Sequence, residues 1–291
     1  MNVQQLKWTQ NFLKDPLLVE KLVRLSSISK KDLVVEIGPG KGIITRVLAK
    51  IAKRVITVEK DERLYRDLKN NLRAKNVEIV LGDFLNYRLP RESYKVFSNI
   101  PFIITAEIIR KLVQNKHSPE ACYLILQKEP AFKYSGRPYG PERLQSLFLK
   151  PYFEPKILYY FKKEDFEPSP RVEVVLWGLK KRKTPLIPLE KRRLWEDFVS
   201  YGFVQRNKNL KSAFKKVFTY NQWKRLARDL NFSISVTTRE LSFPQWLGVF
   251  KFFLTLDSSK KMVVLNTSQR LKREQSRLEK IHRSRKRGEQ K

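Results

Sequence analysis

The first half of the chain alternates short apolar runs with segments of helical periodicity. The apolar runs, rich in Val, Ile and Leu, lie at residues 33–37, 55–58, 77–81, 95–98 and 122–126. Nearly continuous apolar runs separated by helices are typical of parallel strands that are buried on both faces. Two later runs, Lys156–Phe161 and Val172–Leu179, have no helical segment between them and suit an antiparallel edge. The pattern therefore predicts an open, mostly parallel α/β sheet.

The second half of the chain has a different pattern, because its apolar residues recur at helical spacing. The helical segments predicted from this spacing are 189–205, 207–217, 219–230 and 243–256. From Asp257 onward core-forming residues become sparse, and Val263–Leu265 is the only apolar cluster. A cationic stretch with two prolines follows Gly178 and is typical of a linker. We therefore predict an α/β domain, a smaller C-terminal helical domain and a basic, flexible tail, over residues 1–178, 179–256 and 257–291.

The composition adds a strong positive charge. The chain has 291 residues, with 61 Lys and Arg against 29 Asp and Glu, and a formal net charge of +32. This charge is +12 over residues 1–178 and +20 over the shorter stretch 179–291. Cationic side chains gain affinity for polyphosphates by displacing condensed counterions. Because 41% of the residues are hydrophobic, a disordered polycation is excluded, and we expect a folded protein that binds nucleic acid.

Cysteine and histidine are scarce. Cys122 is the single cysteine, and His117 and His282 are the two histidines, so a disulfide framework is excluded and no metal site is expected. No apolar run approaches the roughly 20 residues that a membrane helix needs. The segment Met1–Gln10 also lacks the apolar stretch of a signal peptide. We expect a soluble, cytoplasmic protein with no membrane partner.

Candidate chemistry follows the predicted strands, because ligands of open α/β sheets bind at the carboxyl ends of the strands. Glycines in the segment Glu36–Gly42 let the backbone approach a ligand closely. The spacing excludes a P-loop but leaves both a dinucleotide-dependent enzyme and a methyltransferase open. Glu59 could accept both hydroxyl groups of a ribose, since a carboxylate has two oxygens. Asp83 could accept the exocyclic amine of an adenine, with Phe84 stacking nearby.

The segment Asn99-Ile100-Pro101-Phe102 indicates the most specific chemistry. The amide oxygen and nearby carbonyls could accept both N–H groups of an exocyclic amine, and the aromatic ring could stack on the base. An adenine N6 amine is a poor nucleophile, because its lone pair is delocalised into the ring. Acceptors that favour a pyramidal nitrogen would help most in the transition state of methyl transfer. Alignment of nitrogen, methyl carbon and sulfonium sulfur supplies the rest, and no general base is required.

Taken together, these motifs resemble the rRNA adenine N6-methyltransferases, which comprise Erm-type resistance enzymes and KsgA-type small-subunit dimethyltransferases. The resemblance runs from Gln10 to about Phe253. The motifs that carry it are Gln10–Leu13, Glu36–Gly42, Glu59, Gly82–Asp83, Asn99–Phe102 and Phe166–Val172. It implies a Rossmann-like class I methyltransferase fold, S-adenosylmethionine as the cofactor and ribosomal RNA as the substrate. It also implies a target adenine that is flipped out of its stack, which costs a few kcal/mol.

The resemblance also implies roles for individual residues. Asn11 and Leu13 would close over the cofactor, Asn99 would bridge cofactor and target, and Phe102 would stack on the adenine. The catalytic set is Asn99, Ile100, Pro101 and Phe102. The set expected to bind the cofactor is Gln10, Asn11, Leu13, Glu36, Gly38, Gly40, Glu59, Lys60, Asp83, Phe84 and Asn99. With the target side placed at Phe166–Val172, the residues expected to contact RNA are Phe166, Arg171, Arg206, Lys208, Lys211 and Lys215.

Within this family the sequence is more similar to the Erm type. The Ile and Phe of the tetrapeptide, the stretch Leu241–Trp246 and the basic C-terminal extension are the features that point there. That branch implies a monomer that methylates naked or early-assembly 23S rRNA and confers macrolide, lincosamide and streptogramin B resistance. The short N-terminus departs from some Erm-type proteins. A 16S rRNA dimethyltransferase and a non-catalytic RNA-binding protein remain as alternatives, and mono- or dimethylation stays open.

Overall fold

A computed structural model describes residues 11–204, 209–274 and 277. Its strands are β1 (Phe12–Leu13), β2 (Leu33–Ile37), β3 (Arg54–Glu59), β4 (Val77–Leu81), β5 (Lys95–Asn99), β6 (Ala121–Gln127), β7 (Phe153–Tyr160), β8 (Phe166–Glu167) and β9 (Val174–Lys181). Its helices are α1 (Pro16–Arg24), α2 (Ile43–Ile51), α3 (Glu62–Asn71), α4 (Thr105–Gln114), α5 (Lys128–Ser135), α6 (Leu144–Leu149), α7 (Arg192–Val204), α8 (Leu210–Ala213), α9 (Tyr220–Asp229), α10 (Phe243–Leu254), α11 (Ser258–Met262) and α12 (267–274). Along these described stretches, no helix combines the length and apolar character that membrane crossing requires.

The main sheet has seven strands in the order β4-β3-β2-β5-β6-β9-β7. Strands β2 to β6 pair in parallel, whereas β9 pairs antiparallel with both β6 and β7. Every apolar run of the first half therefore forms a strand, and the expected antiparallel edge is present. The prediction of an open, mostly parallel α/β sheet is confirmed.

Local sequence explains the crossover helices as well as the strands. All residues of β2 are buried, as a strand covered on both faces requires. The Asp15 carboxylate accepts a hydrogen bond of 2.8 Å from the Leu17 amide and caps α1, whose first residue is Pro16. Leu22 of α1 and Leu48 of α2 are fully buried in the core beside the sheet. The predicted helix start at Asp15 is therefore correct.

A separate two-stranded ribbon joins the N-terminal segment to the segment after β7. Strand β1 pairs antiparallel with β8, so that Phe12 faces Glu167 and Leu13 faces Phe166. The Phe166 side chain is only 1% exposed, and its ring centroid lies 5.1 Å from that of Phe161. The expectation that Phe166 contacts RNA is therefore wrong. Its ring packs in the core instead, because its strand partner Leu13 is also buried there.

The chain forms two compact units whose boundaries differ from the expected ones. The sheet unit comprises residues 11–134 and 153–183, and the helical unit comprises 135–152 and the chain from 184 onward. Strand β9 continues to Lys181, which moves the boundary beyond Gly178. Residues 135–152 join the helical unit through contacts such as the 2.8 Å hydrogen bond from Trp195 Nε1 to the Leu147 carbonyl.

Aromatic side chains fill the core of the helical unit. Phe198 of α7 lies at its centre, with ring centroids 4.8 Å from Phe214 and 4.7 Å from Phe253. The helices expected over 189–205, 219–230 and 243–256 are present as α7, α9 and α10. The helix expected over 207–217 is reduced to α8, since residues 214–217 form turns, and residues 205–208 lie outside the described part of the chain.

The expected flexible tail is also corrected, because the structure folds residues 258–274 onto α7. Val264 is fully buried, and helices α11 and α12 flank it. The buried carboxylate of Asp197 accepts hydrogen bonds of 2.9 Å from the Asn266 and Ser268 amides and 2.6 Å from the Ser268 hydroxyl. A single buried acid in α7 therefore fixes the start of α12. Sequence periodicity did not reveal this contact, because its partners are about 70 residues apart.

We predict that Asp197→Ala lowers the free energy of unfolding by about 3 kcal/mol, since it removes charge-assisted hydrogen bonds and leaves buried donors unpaired. Urea denaturation followed by tryptophan fluorescence measures the change. Asp257→Ala is the matched control, because Asp257 is exposed and its side chain caps nothing. It should cost less than about 0.5 kcal/mol. Equal stability of the two variants would contradict the role of Asp197.

Candidate active site

The carboxyl ends of neighbouring parallel strands bring the predicted site residues to one edge of the sheet. After β2, the Gly38 amide donates a 2.9 Å hydrogen bond to the Val58 carbonyl of β3. After β4, the Gly82 amide donates a 2.8 Å hydrogen bond to the Glu59 carbonyl. Ser98 bridges β5 to β2, since its hydroxyl donates to the Ile37 carbonyl at 2.5 Å. Segments that are far apart in sequence thus lie side by side there.

The glycine loop between β2 and α2 adopts a conformation that side chains disfavour. Gly38 and Gly40 have φ angles of +62° and +55°. A Cβ atom on Gly40 would lie 2.5 Å from the Phe12 ring, so this glycine lets β1 pack directly against the loop. Nothing lies within 4 Å of the corresponding point at Gly38. The backbone at Gly38 therefore borders open space, where a ligand can approach it closely.

Glu59 holds the glycine loop in place. One carboxylate oxygen accepts a 3.1 Å hydrogen bond from the Gly40 amide, and the other accepts a 2.8 Å bond from the Asp61 amide. The residue is 4% exposed, and this burial raises the pKa of its carboxyl group. Each oxygen has a second lone pair, so Glu59 can still accept a ribose hydroxyl. The sequence indicated the ribose role but not the contact with Gly40.

Glu36 lies deeper than predicted. Its side chain is 1% exposed and accepts a 2.7 Å hydrogen bond from the Thr45 hydroxyl of α2. Its pKa is raised to about 8, chiefly by desolvation, with the nearby Glu59 adding to the rise and the hydrogen bond from Thr45 opposing it. The expectation of direct cofactor contact is therefore not met in this structure. Glu36 instead supports the loop as a mostly protonated, buried group that links β2 to α2.

The turn after β4 presents Asp83 in an ion pair. One Asp83 oxygen lies 2.7 Å from Lys60 Nζ, and the other accepts a 2.8 Å hydrogen bond from the Leu85 amide. The Lys60 contact holds the pKa of Asp83 below its usual value. Lys60 and Asp83 were both expected to bind cofactor, and the structure places them together. Phe84 is buried beneath Lys111, which corrects the expectation of an open stacking ring.

Lys111 is a residue that the sequence analysis missed. Its ammonium group, on α4, donates hydrogen bonds of 2.9 Å to the Leu85 carbonyl and 2.6 Å to the Tyr87 carbonyl. It also lies 5.5 Å from the centroid of the Phe84 ring, and partial burial lowers its pKa. Lys111 thus fixes the turn that carries Asp83. The available sequence signal was a lysine next to the buried Leu112 in an amphipathic helix.

The segment Asn99–Phe102 borders a small cavity of about 50 Å³ that Gly38 and Asn11 also line. Asn99 Nδ2 donates a 2.7 Å hydrogen bond to the Asn11 carbonyl. This bond orients the side-chain amide and leaves its oxygen as an acceptor. The Ile100 side chain is buried, so the residue can contribute only backbone atoms to a ligand site. Phe102 is half-buried at the start of a short 3₁₀ turn.

The remaining predicted residues are Gln10 and five basic residues that were expected to contact RNA. Gln10, Arg206 and Lys208 lie outside the described residues. Arg171 and Lys215 are exposed, and Lys211 Nζ lies 5.8 Å from the centroid of the Tyr220 ring. Across the described ranges, no group of His, Cys, Asp and Glu side chains is arranged to hold a metal ion.

Known proteins are similar to this chain in sequence and in fold. Residues 1–254 match the family described as "Ribosomal RNA adenine dimethylase". An "rRNA adenine N-6-methyltransferase" of Bacteroides fragilis is 32% identical over 83% of this chain and 90% of its own length. A "Ribosomal RNA small subunit methyltransferase A" of Caldanaerobacter subterraneus subsp. tengcongensis is 34% identical over 72% of this chain and 81% of its own. The solved structure of "23S rRNA methyltransferase ErmE" superposes with a TM-score of 0.78 and 25% identity, covering 84% of this chain and all of that one.

The buried Glu36 generates a prediction about pH. Because its pKa is raised from 4.5 to about 8 in the folded protein, the folded state binds this proton more tightly than the unfolded state. The resulting stability is present below about pH 4.5 and is lost as the pH rises toward 8. We therefore expect Glu36→Gln to flatten the fall in unfolding free energy between pH 5 and 8, as measured by urea denaturation. The exposed Glu164→Gln is the control and should keep the wild-type slope. A wild-type slope in Glu36→Gln would refute the assignment.

A second prediction concerns Lys111. We expect Lys111→Met to weaken S-adenosylmethionine binding about tenfold, which is about 1.4 kcal/mol, because the turn of Asp83 loses two hydrogen bonds. Isothermal titration calorimetry measures the affinity, and thermal unfolding verifies that the variant is folded. Lys116→Met is the control, since Lys116 is exposed beyond the end of α4. Unchanged cofactor affinity in a folded Lys111→Met would show that Lys111 does not position Asp83.

Proposed function

Because the chain belongs to the ribosomal RNA adenine dimethylase family, we propose that it methylates N6 of one adenine in 23S rRNA. The protein is an S-adenosylmethionine-dependent rRNA methyltransferase, as its family implies. The proposal extends this activity to the large-subunit RNA, to a protein-free or early-assembly substrate and to action as a monomer. The observation that carries the N6-methylation chemistry is the oriented amide of Asn99, beside a cavity that Gly38 also borders.

The residues at the strand ends fit S-adenosylmethionine. Open space at Gly38 leaves room for a ligand against the backbone, and the buried Glu59 offers hydroxyl acceptors next to it. Asp83 offers a carboxylate for the adenine amine of the cofactor, in exchange with its present partner Lys60. When bound, the cofactor supplies an electrophilic methyl group on a positively charged sulfur. Acidic side chains around a cationic ligand are electrostatically favourable.

The chain's own contribution to the reaction is orientation of the target amine. The Asn99 oxygen accepts one N6 hydrogen, and a backbone carbonyl of the Asn99–Phe102 segment accepts the other. These acceptors favour a pyramidal nitrogen, so they bind the transition state better than the planar ground state. The Asn11 carbonyl holds the amide in the required direction. Phe102 is placed at the same cavity to stack on the base.

The large-subunit target is supported by several observations. The Bacteroides fragilis relative covers most of both chains, and the ErmE structure superposes over its whole length. The Ile and Phe of the tetrapeptide and the stretch Leu241–Trp246 are similar to the Erm type. This target further implies resistance to macrolides, lincosamides and streptogramin B. Methylation of 16S rRNA is the second candidate, because the small-subunit relative has 34% identity.

The target adenine can be mapped directly. We expect labelled S-adenosylmethionine to modify a single adenine of protein-free 23S rRNA, located by nuclease digestion and mass spectrometry of the labelled fragment. Protein-free 16S rRNA and assembled 30S particles serve as the comparison substrates. Label that appears only on 30S particles would replace the proposal with the small-subunit candidate. Expression in a macrolide-sensitive strain then tests resistance.

Asn99→Ala tests the role of the oriented amide in the same assay. We expect the rate at saturating RNA to fall at least a hundredfold, since an acceptor that acts in the transition state is lost. RNA affinity should change much less. Asn115→Ala is the matched control, because Asn115 is exposed at the far end of α4. An unaltered rate in Asn99→Ala would remove Asn99 from the mechanism.

A further inference from the structure

A large groove runs along the sheet unit beside helix α2, with a volume of about 850 Å³. Helix α1 and the end of α3 form its other borders. Its basic side chains are Lys14, Lys41, Arg46, Lys50 and Arg73. Its acidic residues are Glu20 and Glu167. The lining therefore carries a net positive charge, on the unit whose overall charge is the smaller of the two.

The lining of this groove also contains apolar side chains, among them Phe12, Ile43, Val47 and Leu72. A lining that combines apolar and cationic side chains suits a ligand that combines planar, weakly polar groups with negative charges. Grooves that bind single-stranded nucleic acid have this composition, because bases stack on apolar surfaces while Lys and Arg follow the phosphates.

The groove shares a wall with the cavity at Asn99. Phe12, Leu13 and Ile43 line both the groove and that cavity. An RNA chain whose target base enters the cavity continues outside the cavity on both sides of that base, since the base remains covalently linked to its neighbours. The groove therefore lies beside the cavity, near the nucleotides that adjoin a base held there. A free mononucleotide has no neighbouring nucleotides and would not need the groove.

Four of the five basic residues of the groove are available to a ligand, while the Arg46 guanidinium donates a 2.7 Å hydrogen bond to the Lys41 carbonyl. Lys14 and Arg73 are exposed, and neither side chain forms an ion pair with another described residue. Lys50 is 3.8 Å from Glu20, but its side chain is 72% exposed, so this pair is weak. Lys41 Nζ lies 5.6 Å from the centroid of the Phe12 ring and thus holds a charge directly beside the shared wall.

We propose that this groove binds the phosphodiester backbone of the unpaired nucleotides adjoining the target adenosine. The inference rests on the proposed function in so far as it takes RNA as the substrate, but it does not depend on which ribosomal subunit supplies that RNA. Under this proposal, residues at the carboxyl ends of the β-strands hold the reacting groups. The groove beside α2 binds the RNA backbone.

The test uses the full-length double variant Lys14→Gln/Arg73→Gln and protein-free 23S rRNA as the probe. We expect RNA affinity to fall about tenfold. The slope of log affinity against log salt should become shallower by about 1.4, since each lost contact with a single-stranded phosphate removes about 0.7. The KM for RNA should rise by more than kcat falls. The affinity for S-adenosylmethionine should stay at the wild-type value, which also shows that the variant is folded.

Lys30→Gln/Lys31→Gln is the matched control, because it removes the same charge from exposed residues before β2 that do not line the groove. If both double variants have the same RNA affinity and salt slope, the groove carries no special contact and the proposal is wrong. If the groove variant loses S-adenosylmethionine affinity with no change in RNA affinity, the groove belongs to the cofactor and the proposal is equally wrong.

The outcome is separable from that of the proposed function. Affinity and salt slope are measured without methylation, so they report on the groove even if no adenine of 23S rRNA is modified. Conversely, correct methylation of 23S rRNA by an enzyme whose groove variant binds RNA normally would support the function and refute the groove. A photo-crosslink from 4-thiouridine placed next to the mapped adenine to a peptide of α2 would add direct support.

Discussion

The hydrogen bond from the Gly40 amide to the buried Glu59 carboxylate is the contact on which the site depends. A carboxylate that is almost fully buried needs hydrogen bonds to compensate for lost hydration, and the backbone amides of Gly40 and Asp61 supply them. In return, the carboxylate helps to fix a loop with positive φ angles, together with the hydrogen bond from the Gly38 amide to Val58 and the packing of Phe12 on Gly40. The open space at Gly38 and the start of α2 both follow from that fixed loop.

A second contact connects the N-terminal segment of the sheet unit to the segment that follows β7. Because β1 pairs with β8, the N-terminal segment is held beside the glycine loop, where Phe12 packs on Gly40. The same segment presents the Asn11 carbonyl to Asn99. The direction of the Asn99 amide is therefore set by a segment more than 80 residues away. Motifs that are separate in the sequence form a single connected structure.

Most of the sheet could be predicted from sequence, because short apolar runs and helix caps act locally. The residues at the strand ends could be predicted as well, because a parallel sheet brings the carboxyl ends of its strands to the same edge whatever the details of packing. Tertiary contacts explain the failures. Phe166 was expected to contact RNA from the family resemblance, which does not reveal the ribbon between distant segments that buries it, and α12 was not expected because Asp197 anchors it from α7. Lys111 was missed because its carbonyl partners lie in a turn without a sequence pattern.

The two ligands of this protein, S-adenosylmethionine and RNA, place opposite demands on the charge of its surface. The chain has a net charge of +32, yet the strand ends carry Glu36, Glu59 and Asp83 within one site. A basic site would repel a cationic methyl donor, whereas an acidic surface would repel RNA. The protein meets both demands by burying carboxyl groups under the glycine loop and placing cations outside it. Protonation of Glu36 limits the mutual repulsion of these acids, and the pair with Lys60 does the same for Asp83. Surface cations outside the site can therefore add affinity for RNA without altering the electrostatics at the reacting atoms.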